Sequence, residues 1–335
     1  MDFPPLTQAM FRLYIQDPAR PAGRETHWRH RFSLAGVALC VILMGWGGFV
    51  TSIDAGLAVP DWPTSFGSYD PVTTGFSDPT DPDARWWQYT PVLAEHGHRL
   101  LGALLGLWVL ILALWTWRTE ARSWMRRLSG AALGLVVLQG VLGGLRVVWV
   151  SLDLAVVHAF GAQLLFGLLL ALTLFTSASW VAAIDIPQEH ADTRRLRLLS
   201  AATVIVLIGQ ILLGALLRHP GGGVHLGFAV VHIVGAIVVL GLIVVTCGGI
   251  RRDFAANRLL NRAAWVMMGA VFVQLTLGFL AFAVLLIEHS MAMRSTMQVV
   301  LNSAHLVMGA VLFGAAVCTL LLLMRRQEEG VASTG

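Results

Sequence analysis

The stretch Glu95-His96-Gly97-His98-Arg99 stands where a long polar segment gives way to an apolar run that begins at Leu100. A carboxylate, two imidazoles and a guanidinium are costly at the edge of a membrane-spanning segment, so a cluster of this kind usually has a function. The stretch therefore marks both the start of a predicted span and a candidate site.

The composition is that of an integral membrane protein. Of the 335 residues, 56% are hydrophobic and 13% are charged, and the mean hydropathy is +0.72, which is far too apolar for an ordinary soluble domain. The net charge of +4 comes from arginine alone, because the chain has no lysine. Such charge is typical of cytoplasmic loops, so we expect no nucleic-acid partner. The cysteines, Cys40, Cys247 and Cys318, lie in apolar runs and are expected to be packing residues.

Eight apolar runs reach the roughly 20 residues that a bilayer-spanning helix needs. They begin near Ser33, Leu100, Leu128, Leu154, Leu198, Leu226, Ala263 and Val299. Eighteen of the 23 arginines lie in the leader, the tail and alternate connections. The positive-inside rule therefore predicts a multi-pass protein of the cell membrane with both termini in the cytoplasm.

The predicted fold class is an all-α integral membrane protein with eight transmembrane helices in two four-helix bundles. The predicted divisions are a cytoplasmic leader (1–32), an N-terminal bundle (33–184), a cytoplasmic linker (185–197), a C-terminal bundle (198–324) and a cytoplasmic tail (325–335). With four spans in each half, both halves have the same orientation. We therefore expect a pseudo-twofold axis along the membrane normal.

The first outer connection, residues 54–94, is the one long connection between predicted spans, and it carries six aspartates with several prolines and glycines. A segment of this length between short connections is usually a lid or a binding loop. The alternative is a solvated tether.

The odd-numbered spans share a Q-x-x-x-G motif. It occurs at 139–143, 210–214 and 274–278, and a degenerate version, Met44-Gly-Trp-Gly-Gly48, occurs in the first span. A glycine one turn from a glutamine allows close helix packing and an interhelical hydrogen bond. The motif is therefore interpreted chiefly as a helix-packing element.

Each even-numbered span carries a histidine in or near its first turns: His98, His158, His232 and His305. A lone histidine in an apolar helix is more often a packing residue, but four at equivalent positions favour a shared function. Imidazole suits iron, zinc and copper, and two histidines on facing helices suit a haem held between them. We expect His98 to pair with His158, and His232 to pair with His305.

Glu95 precedes His98 by three residues, so the two side chains share a helical face if the helix starts early enough. The alternative is a carboxylate that stabilises a helix N-terminus. The second half has no acid at the matching positions, which favours chemistry in the first half and electron transfer in the second. His96 and His225 lie near these ligands and are candidates for contact with a bound haem.

These residues resemble the haem A synthase family of eight-helix membrane enzymes. Glu95, His98 and Arg99 match its Glu-x-x-His-Arg motif, and the single histidines of the later even spans match its pattern. The stretch 56–63 is similar to the family's glycine-leucine and aspartate-tryptophan-proline sequence. Many bacterial members have a cysteine pair flanking that stretch, where this chain has Val59 and Ser65, so no disulfide is expected in this loop.

The resemblance implies oxidation of the C8 methyl of haem O to the formyl group of haem A through a hydroxymethyl intermediate, as a step of haem A biosynthesis for cytochrome oxidase assembly. It implies that His98 and His158 bind the substrate haem O, and that His232 and His305 bind a haem b cofactor. Glu95 would then be catalytic, taking a proton from the activated methyl or stabilising positive charge on it.

Three outer arginines, Arg99, Arg146 and Arg218, are candidates for pairing with haem propionates, and their alternative role is as membrane-interface anchors. The implied partners are haem O, haem O synthase, a quinol or other electron donor or acceptor, and the lipid bilayer, and a homo-oligomer is compatible with the pattern.

Two other classes of protein compete with this interpretation. A di-haem membrane cytochrome that transfers electrons between quinol and an external acceptor explains the histidines but leaves Glu95 unexplained. A transporter built from two parallel repeats explains the symmetry, but it would more naturally carry polar groups and broken helices at mid-membrane depth.

Overall fold

The computed structural model describes residues 24–181, 191–218, 226–287 and 294–325. Within them the chain forms eight long helices and no extended β-strand, and each of the eight is long and apolar enough to cross a membrane. The helices are α1 (Arg24–Ser52), α2 (Thr90–Thr119), α3 (Ser123–Val148), α4 (Leu152–Thr176), α5 (Ala191–Arg218), α6 (Leu226–Asp253), α7 (Arg258–Ile287) and α8 (Thr296–Met324). The predicted fold class is confirmed.

Most of the leader, about half of the linker and nearly all of the tail lie outside the described residues. The predicted domain divisions therefore stay predictions.

Most helices begin before the apolar runs that predict them, and α2 is the clearest case. It starts at Thr90 with Pro91 in its first turn, a position where proline is favoured because its missing N–H has no helical partner to lose. The cluster at 95–99 therefore lies inside the helix, and the condition that Glu95 and His98 share a helical face is met. The preceding connection runs from residue 53 to residue 89 and contains a single 3₁₀ turn, Trp86–Gln88. We call it the outer loop.

The outward faces of the helices are strongly apolar. Large side chains such as Ile205, Ile237 and Phe279 are exposed over roughly two thirds of their surface. Apolar surface of this extent is characteristic of a protein that faces lipid. The chain is accordingly a multi-pass membrane protein.

The helices pack as two four-helix bundles that share an interface. In the first half α1 contacts α2, α2 contacts α3, α3 contacts α4 and α4 contacts α1, and α5 to α8 repeat the same cycle. The halves meet where α1 contacts α8, α4 contacts α5, and α4 contacts α8. Exchanging the two halves reproduces this set of contacts.

The contact between α4 and α8 is reciprocal at the level of side chains. A β-carbon at Gly167 would come 2.7 Å from the ring of Phe313, and one at Gly314 would come 2.9 Å from the ring of Phe166. Both phenylalanines are buried, and each Phe-Gly pair follows the histidine of its helix at the same distance along the chain. Such reciprocity is expected of a twofold contact, although the pseudo-twofold relation itself stays a prediction.

A buried ion-pair cluster lies at the end of the bundle opposite to the outer loop. Arg29 donates to Glu120 at 2.6 Å, and Arg122 donates to the same carboxylate at 2.9 Å. Burial by itself raises the pKa of Glu120, but hydrogen bonds from Arg122 and the charges of Arg122 and Arg29 outweigh it and lower the pKa from 4.5 to about 2. The cluster ties α1 to the turn between α2 and α3.

Candidate functional site

The four predicted histidines form two facing pairs. The rings of His98 on α2 and His158 on α4 have centroids 6.5 Å apart with an interplanar angle of 82°. The rings of His232 on α6 and His305 on α8 are 6.4 Å apart at 69°. All four lie in the half of the bundle nearer the outer loop, since α2, α4, α6 and α8 all begin at that end.

The geometry of each pair fits two axial ligands of one metal. Two imidazoles that bind a metal from opposite sides, each through a nitrogen about 2 Å away, have ring centres about 6.3 Å apart. Each donor set consists of two imidazoles, which suits an iron whose other ligands come from a porphyrin. The Nδ1 atoms of all four rings are buried without a hydrogen-bond partner in the described structure, which is unusual unless a further group completes the site.

A glycine of the preceding helix makes room for every one of these rings. A β-carbon at that glycine would meet the Cε1 atom of the imidazole, and the pairs are Gly47 with His98 (2.9 Å), Gly143 with His158 (3.1 Å), Gly214 with His232 (3.5 Å) and Gly278 with His305 (2.8 Å). In α3, α5 and α7 the glycine of the Q-x-x-x-G motif thus faces a candidate ligand. In α1 the glycine that does so is Gly47, and Gly48, which ends the degenerate version of the motif, faces Ser303 instead. This is a more specific position than helix packing in general. The signal that could have revealed it is depth, because each glycine stands about as far from the end of its odd-numbered helix as the histidine stands from the start of the following even-numbered helix.

The glutamine of the motif lies beside the same ring or one turn from it. The Gln274 amide nitrogen is 3.1 Å from Nε2 of His305. The other two amides occupy the space where a β-carbon would stand on a glycine three residues after the histidine: Gln139 at Gly161 and Gln210 at Gly235. Residues three apart share a helical face. The amides of Gln139 and Gln210 therefore pack against the faces of α4 and α6 that carry His158 and His232.

Glu95 is buried and bonded through both of its oxygens. Oε1 accepts from Arg99 at 2.8 Å, and Oε2 accepts from the backbone N–H of Val59 in the outer loop at 2.8 Å. The alternative role as an N-terminal helix carboxylate does not match these contacts, because its partners are a side chain of α2 and the loop. Glu95 therefore helps to fasten the outer loop to α2, the helix that carries His98.

His96 faces the outer loop and not the His98–His158 pair. Its Nδ1 lies 3.0 Å from the Ser65 hydroxyl and its Nε2 lies 3.0 Å from the Pro71 carbonyl, and the ring of Trp86 packs edge-on against it at 4.6 Å. Both ring nitrogens are engaged, so His96 fastens the loop. The other neighbouring candidate, His225, lies outside the described residues.

The three arginines predicted to pair with propionates donate mainly to backbone carbonyls. Arg99 holds three carbonyls of the outer loop, those of Val59, Asp61 and Thr64. Arg146 donates to the Gly56 carbonyl, and Arg218 donates to the Gly48 carbonyl and the Ser52 hydroxyl at the end of α1. Their role toward propionates stays a prediction.

The aspartates of the outer loop shape its turns. Asp61 accepts from the Thr64 hydroxyl and from the backbone N–H groups of Phe66 and Gly67. Burial raises its pKa, but these hydrogen bonds together lower it. Asp78 accepts from the Tyr89 and Thr80 hydroxyls, which lower its pKa to about 2. A loop folded by its own acids and fastened to α2 favours the lid interpretation over the solvated tether.

Two buried residues of the outer loop make contacts with α2 that the sequence did not predict. Val59 and Ser65, which stand where many family members have cysteines, are both buried. Val59 donates to Glu95 and Ser65 contacts His96. The two positions that could not form a disulfide are thus the positions held by polar side chains of α2.

Comparison with known proteins gives a family match over much of the chain. Residues 30–229 match the COX15-CtaA family, described as cytochrome oxidase assembly protein. The matched range is more than half of the chain and includes the outer loop and the His98–His158 pair.

Similar individual proteins carry the name heme A synthase. The chain is 31% identical over 196 residues to that of Symbiobacterium thermophilum, a match that covers 56% of this chain and 58% of the relative. It is 31% identical over 241 residues to that of Methylobacterium sp. strain 4-46, covering 65% of each. The match to that of Shewanella oneidensis is 31% over 198 residues, covering 56% of this chain and 55% of the relative. The chain thus matches less than two thirds of the length of each relative.

Proposed function

Because the chain belongs to the COX15-CtaA family of cytochrome oxidase assembly proteins, we propose that it is a haem A synthase, an oxidoreductase that acts on a methyl group. Its reaction is the oxidation of the C8 methyl of haem O to a formyl group through a hydroxymethyl intermediate. The observation that carries the proposal is the presence of two facing histidine pairs of nearly equal separation, of which only the first has a carboxylate three residues before a ligand.

The two pairs have different tasks in this proposal. His98 and His158 hold the substrate haem O, and His232 and His305 hold a resident haem b. When bound, haem b supplies one-electron transfer, while each of the two stages at the methyl group withdraws two electrons from the substrate. An electron acceptor, either a carrier such as a quinone or dioxygen, takes these electrons. A quinol serves only as a donor, in the case where dioxygen is the oxidant and needs further electrons.

Glu95 is the proposed catalytic residue. It lies on the same helix as His98 and keeps a buried negative charge there through its ion pair with Arg99. A carboxylate in this position takes a proton from the activated methyl or stabilises the positive charge that develops on it. Arg99 and His96 support this role by fastening the outer loop over the same end of the bundle.

The arginine distribution supports an orientation with both termini in the cytoplasm. The histidine pairs and the outer loop then lie toward the outer side of the membrane. In this orientation Arg146 and Arg218, with Arg99, are placed to meet the propionates of haems that enter from the bilayer. Haem O synthase is the expected source of the substrate.

Co-expression with a haem O synthase, followed by extraction and chromatography of the haems, tests the proposal. We expect haem A or the hydroxymethyl intermediate to accumulate with this chain and to be absent from cells that carry the His98→Ala, His158→Ala double variant. Recovery of haem b with unaltered haem O would instead identify a di-haem cytochrome.

The second pair needs its own control. His232→Ala or His305→Ala should remove a low-spin haem b spectrum from the purified protein. A haem b spectrum retained in both variants would contradict the assignment of haem b to this pair.

A further inference from the structure

An open groove runs along α2 from His98 in the direction away from the outer loop. Gly102 and Gly106 follow His98 by about one and two helical turns, so the three residues lie near one side of the helix. Apart from the backbone of α2 itself, a β-carbon at either glycine would meet no atom of the described residues within 4 Å. Both glycines are half-buried, so the groove opens to the bilayer. At 1.5 Å per residue it is about 12 Å long.

The groove lies on the side of α2 that faces α3. Trp108 packs against α1, where its ring stacks on that of Phe32 at 4.3 Å and its indole nitrogen donates to the Phe32 carbonyl. Gly106 is two residues before Trp108, and residues two apart point about 200° apart on a helix. Gly106 therefore faces away from α1 and toward α3, the other neighbour of α2 in the first bundle. Further along, the indole of Trp117 closes the space between the two helices by donating to the Arg126 carbonyl at 2.8 Å.

The position of Gly106 is filled on the other helices that carry a candidate ligand. The residue eight positions after the histidine is Phe166 on α4, Leu240 on α6 and Phe313 on α8. The two phenylalanines are buried, and Leu240 packs against the core. Among these four helices α2 alone has a glycine there, so the groove distinguishes the first pair from the second.

A buried hydrogen-bond acceptor lies at the inner side of the groove. Gln139 on α3 is 6% exposed, and its Oε1 has no hydrogen-bond partner among the described residues. Its amide packs at Gly161, on the face of α4 that carries His158. Counted from the contact of Trp117 with α3, Gln139 is at about the same depth as Gly106. A buried acceptor is costly unless a donor reaches it.

The glutamine at the matching position of α7 also lacks a partner for Oε1 in the described structure. The open space beside His98, and not the amide, is therefore the feature that differs between the two halves.

The groove and the acceptor match the two features that distinguish haem O from haem b. Haem O carries a long isoprenoid tail at one pyrrole carbon, with a hydroxyl group at the root of the tail. That carbon lies on the porphyrin edge opposite to the propionates. A haem whose propionates face the outer end of the bundle therefore directs its tail away from the outer loop, which is the direction in which the groove runs.

Building on the proposed function, we propose that the groove at Gly102 and Gly106 takes the isoprenoid tail of the substrate haem, while Gln139 accepts a hydrogen bond from the hydroxyl at its root. The first pair thereby selects a haem with a tail. The second pair has Leu240 at the matching position and takes a haem without one.

Titration of the full-length protein, purified with haem b in its second pair, tests the proposal. The added haems are haem O and haem b, which lacks the tail, and the His98→Ala, His158→Ala double variant supplies the signal to subtract for binding elsewhere. Gly106→Leu should weaken the binding of haem O to the first pair about tenfold, as is usual for an overpacked apolar site, and should leave the binding of haem b unchanged. Equal weakening for both haems, or no weakening for either, would overturn the proposal.

The matched control is Gly241→Leu on α6. This glycine is exposed and follows His232 by nine residues, and a β-carbon there would also meet no atom of the described residues within 4 Å. The variant should bind both haems at the first pair as the wild type does. Weakening of haem O in this variant equal to that in Gly106→Leu would overturn the proposal as well.

Two milder variants decide the matter even where Gly106→Leu does not fold. Gly106→Ala should shift the preference between haem O and haem b in the same direction by a smaller factor. Gln139→Leu should reduce the preference for haem O about fivefold, the usual net effect of one hydrogen bond. The low-spin spectrum of the second pair reports that each variant is folded. An unchanged preference in both variants would overturn the proposal.

These titrations need no turnover, so their failure is distinct from failure of the proposed function. A chain that discriminates by the tail but makes no haem A would contradict the proposed function alone. A chain that makes haem A while Gly106→Leu binds both haems as before would contradict the role of the groove alone. A first pair that binds neither haem would contradict both.

Discussion

Gly143 lies directly against the imidazole of His158, so that a β-carbon at Gly143 would come 3.1 Å from Cε1. The contact joins two sequence repeats, the glycine of the odd helices and the histidine of the even ones, in one structural unit. The unit occurs four times, and each occurrence gives a direct test of whether the position of the ring matters for ligand binding.

Gly143→Ala should lower the haem content of the first pair, because the added methyl group displaces the imidazole. The control is Gly140→Ala on the same helix, where a β-carbon would meet no atom of the described residues within 4 Å. That variant should keep its haem and be slightly more stable, since alanine favours a helix over glycine by about 1 kcal/mol. Haem-to-protein ratios and melting temperatures provide the measurement, and equal haem contents in the two variants would contradict the prediction.

Glu95→Gln separates the charge of Glu95 from its hydrogen bond. The amide oxygen can still accept from the Val59 N–H, so we expect the outer loop and the bound haems to be retained. The negative charge is lost, and oxidation of haem O should fall by about 10² or more, the usual effect of losing a general acid or base. Haem chromatography measures the product and absorbance measures the bound haem. Full product formation in this variant would remove the proposed catalytic role.

Gly314→Ala should destabilise the contact between the two halves. The new methyl group would meet the buried ring of Phe166, and overpacking of a core typically costs about 1–3 kcal/mol. Thermal unfolding in detergent measures the effect. Gly269→Ala, on α7 with no described atom within 4 Å of the added carbon, is the control. An unchanged melting temperature in Gly314→Ala would show that the halves adjust without cost.

The membrane fold and the facing of the histidines in pairs could be predicted from the sequence because both depend on repeated patterns. Runs of about 20 apolar residues define spans almost regardless of tertiary contacts, and four histidines at equal depth indicate a shared task. The partners of Glu95 and His96 could not be predicted, because Val59, Ser65 and Pro71 reach them through the fold of a loop that has no periodicity. The contact of the Phe-Gly pairs of α4 and α8 could not be predicted, because an apolar dipeptide in an apolar helix carries no distinctive signal.

The pKa of Glu120 predicts a contribution to acid stability. Because the pKa is lowered from 4.5 to about 2 on folding, the ionised carboxylate stabilises the folded state fully above pH 4.5, and this stabilisation is lost as the pH falls toward 2. Melting temperatures of the wild type should therefore fall more steeply over this range than those of Glu120→Gln. Parallel curves for the two proteins would show that the cluster with Arg29 and Arg122 does not contribute in this way.

The hydrogen bonds that hold Val59 and Ser65 to α2 determine how the outer loop responds to reducing and oxidising conditions. Each of the three cysteines is a free thiol within a helix, so no sulfur atom takes part in closing the outer loop. Dithiothreitol and similar reductants have no bond to break there, and the loop should hold equally well in reducing and oxidising surroundings. In this chain the attachment of the outer loop to α2 is made by hydrogen bonds, so we expect it to be insensitive to the thiol–disulfide balance.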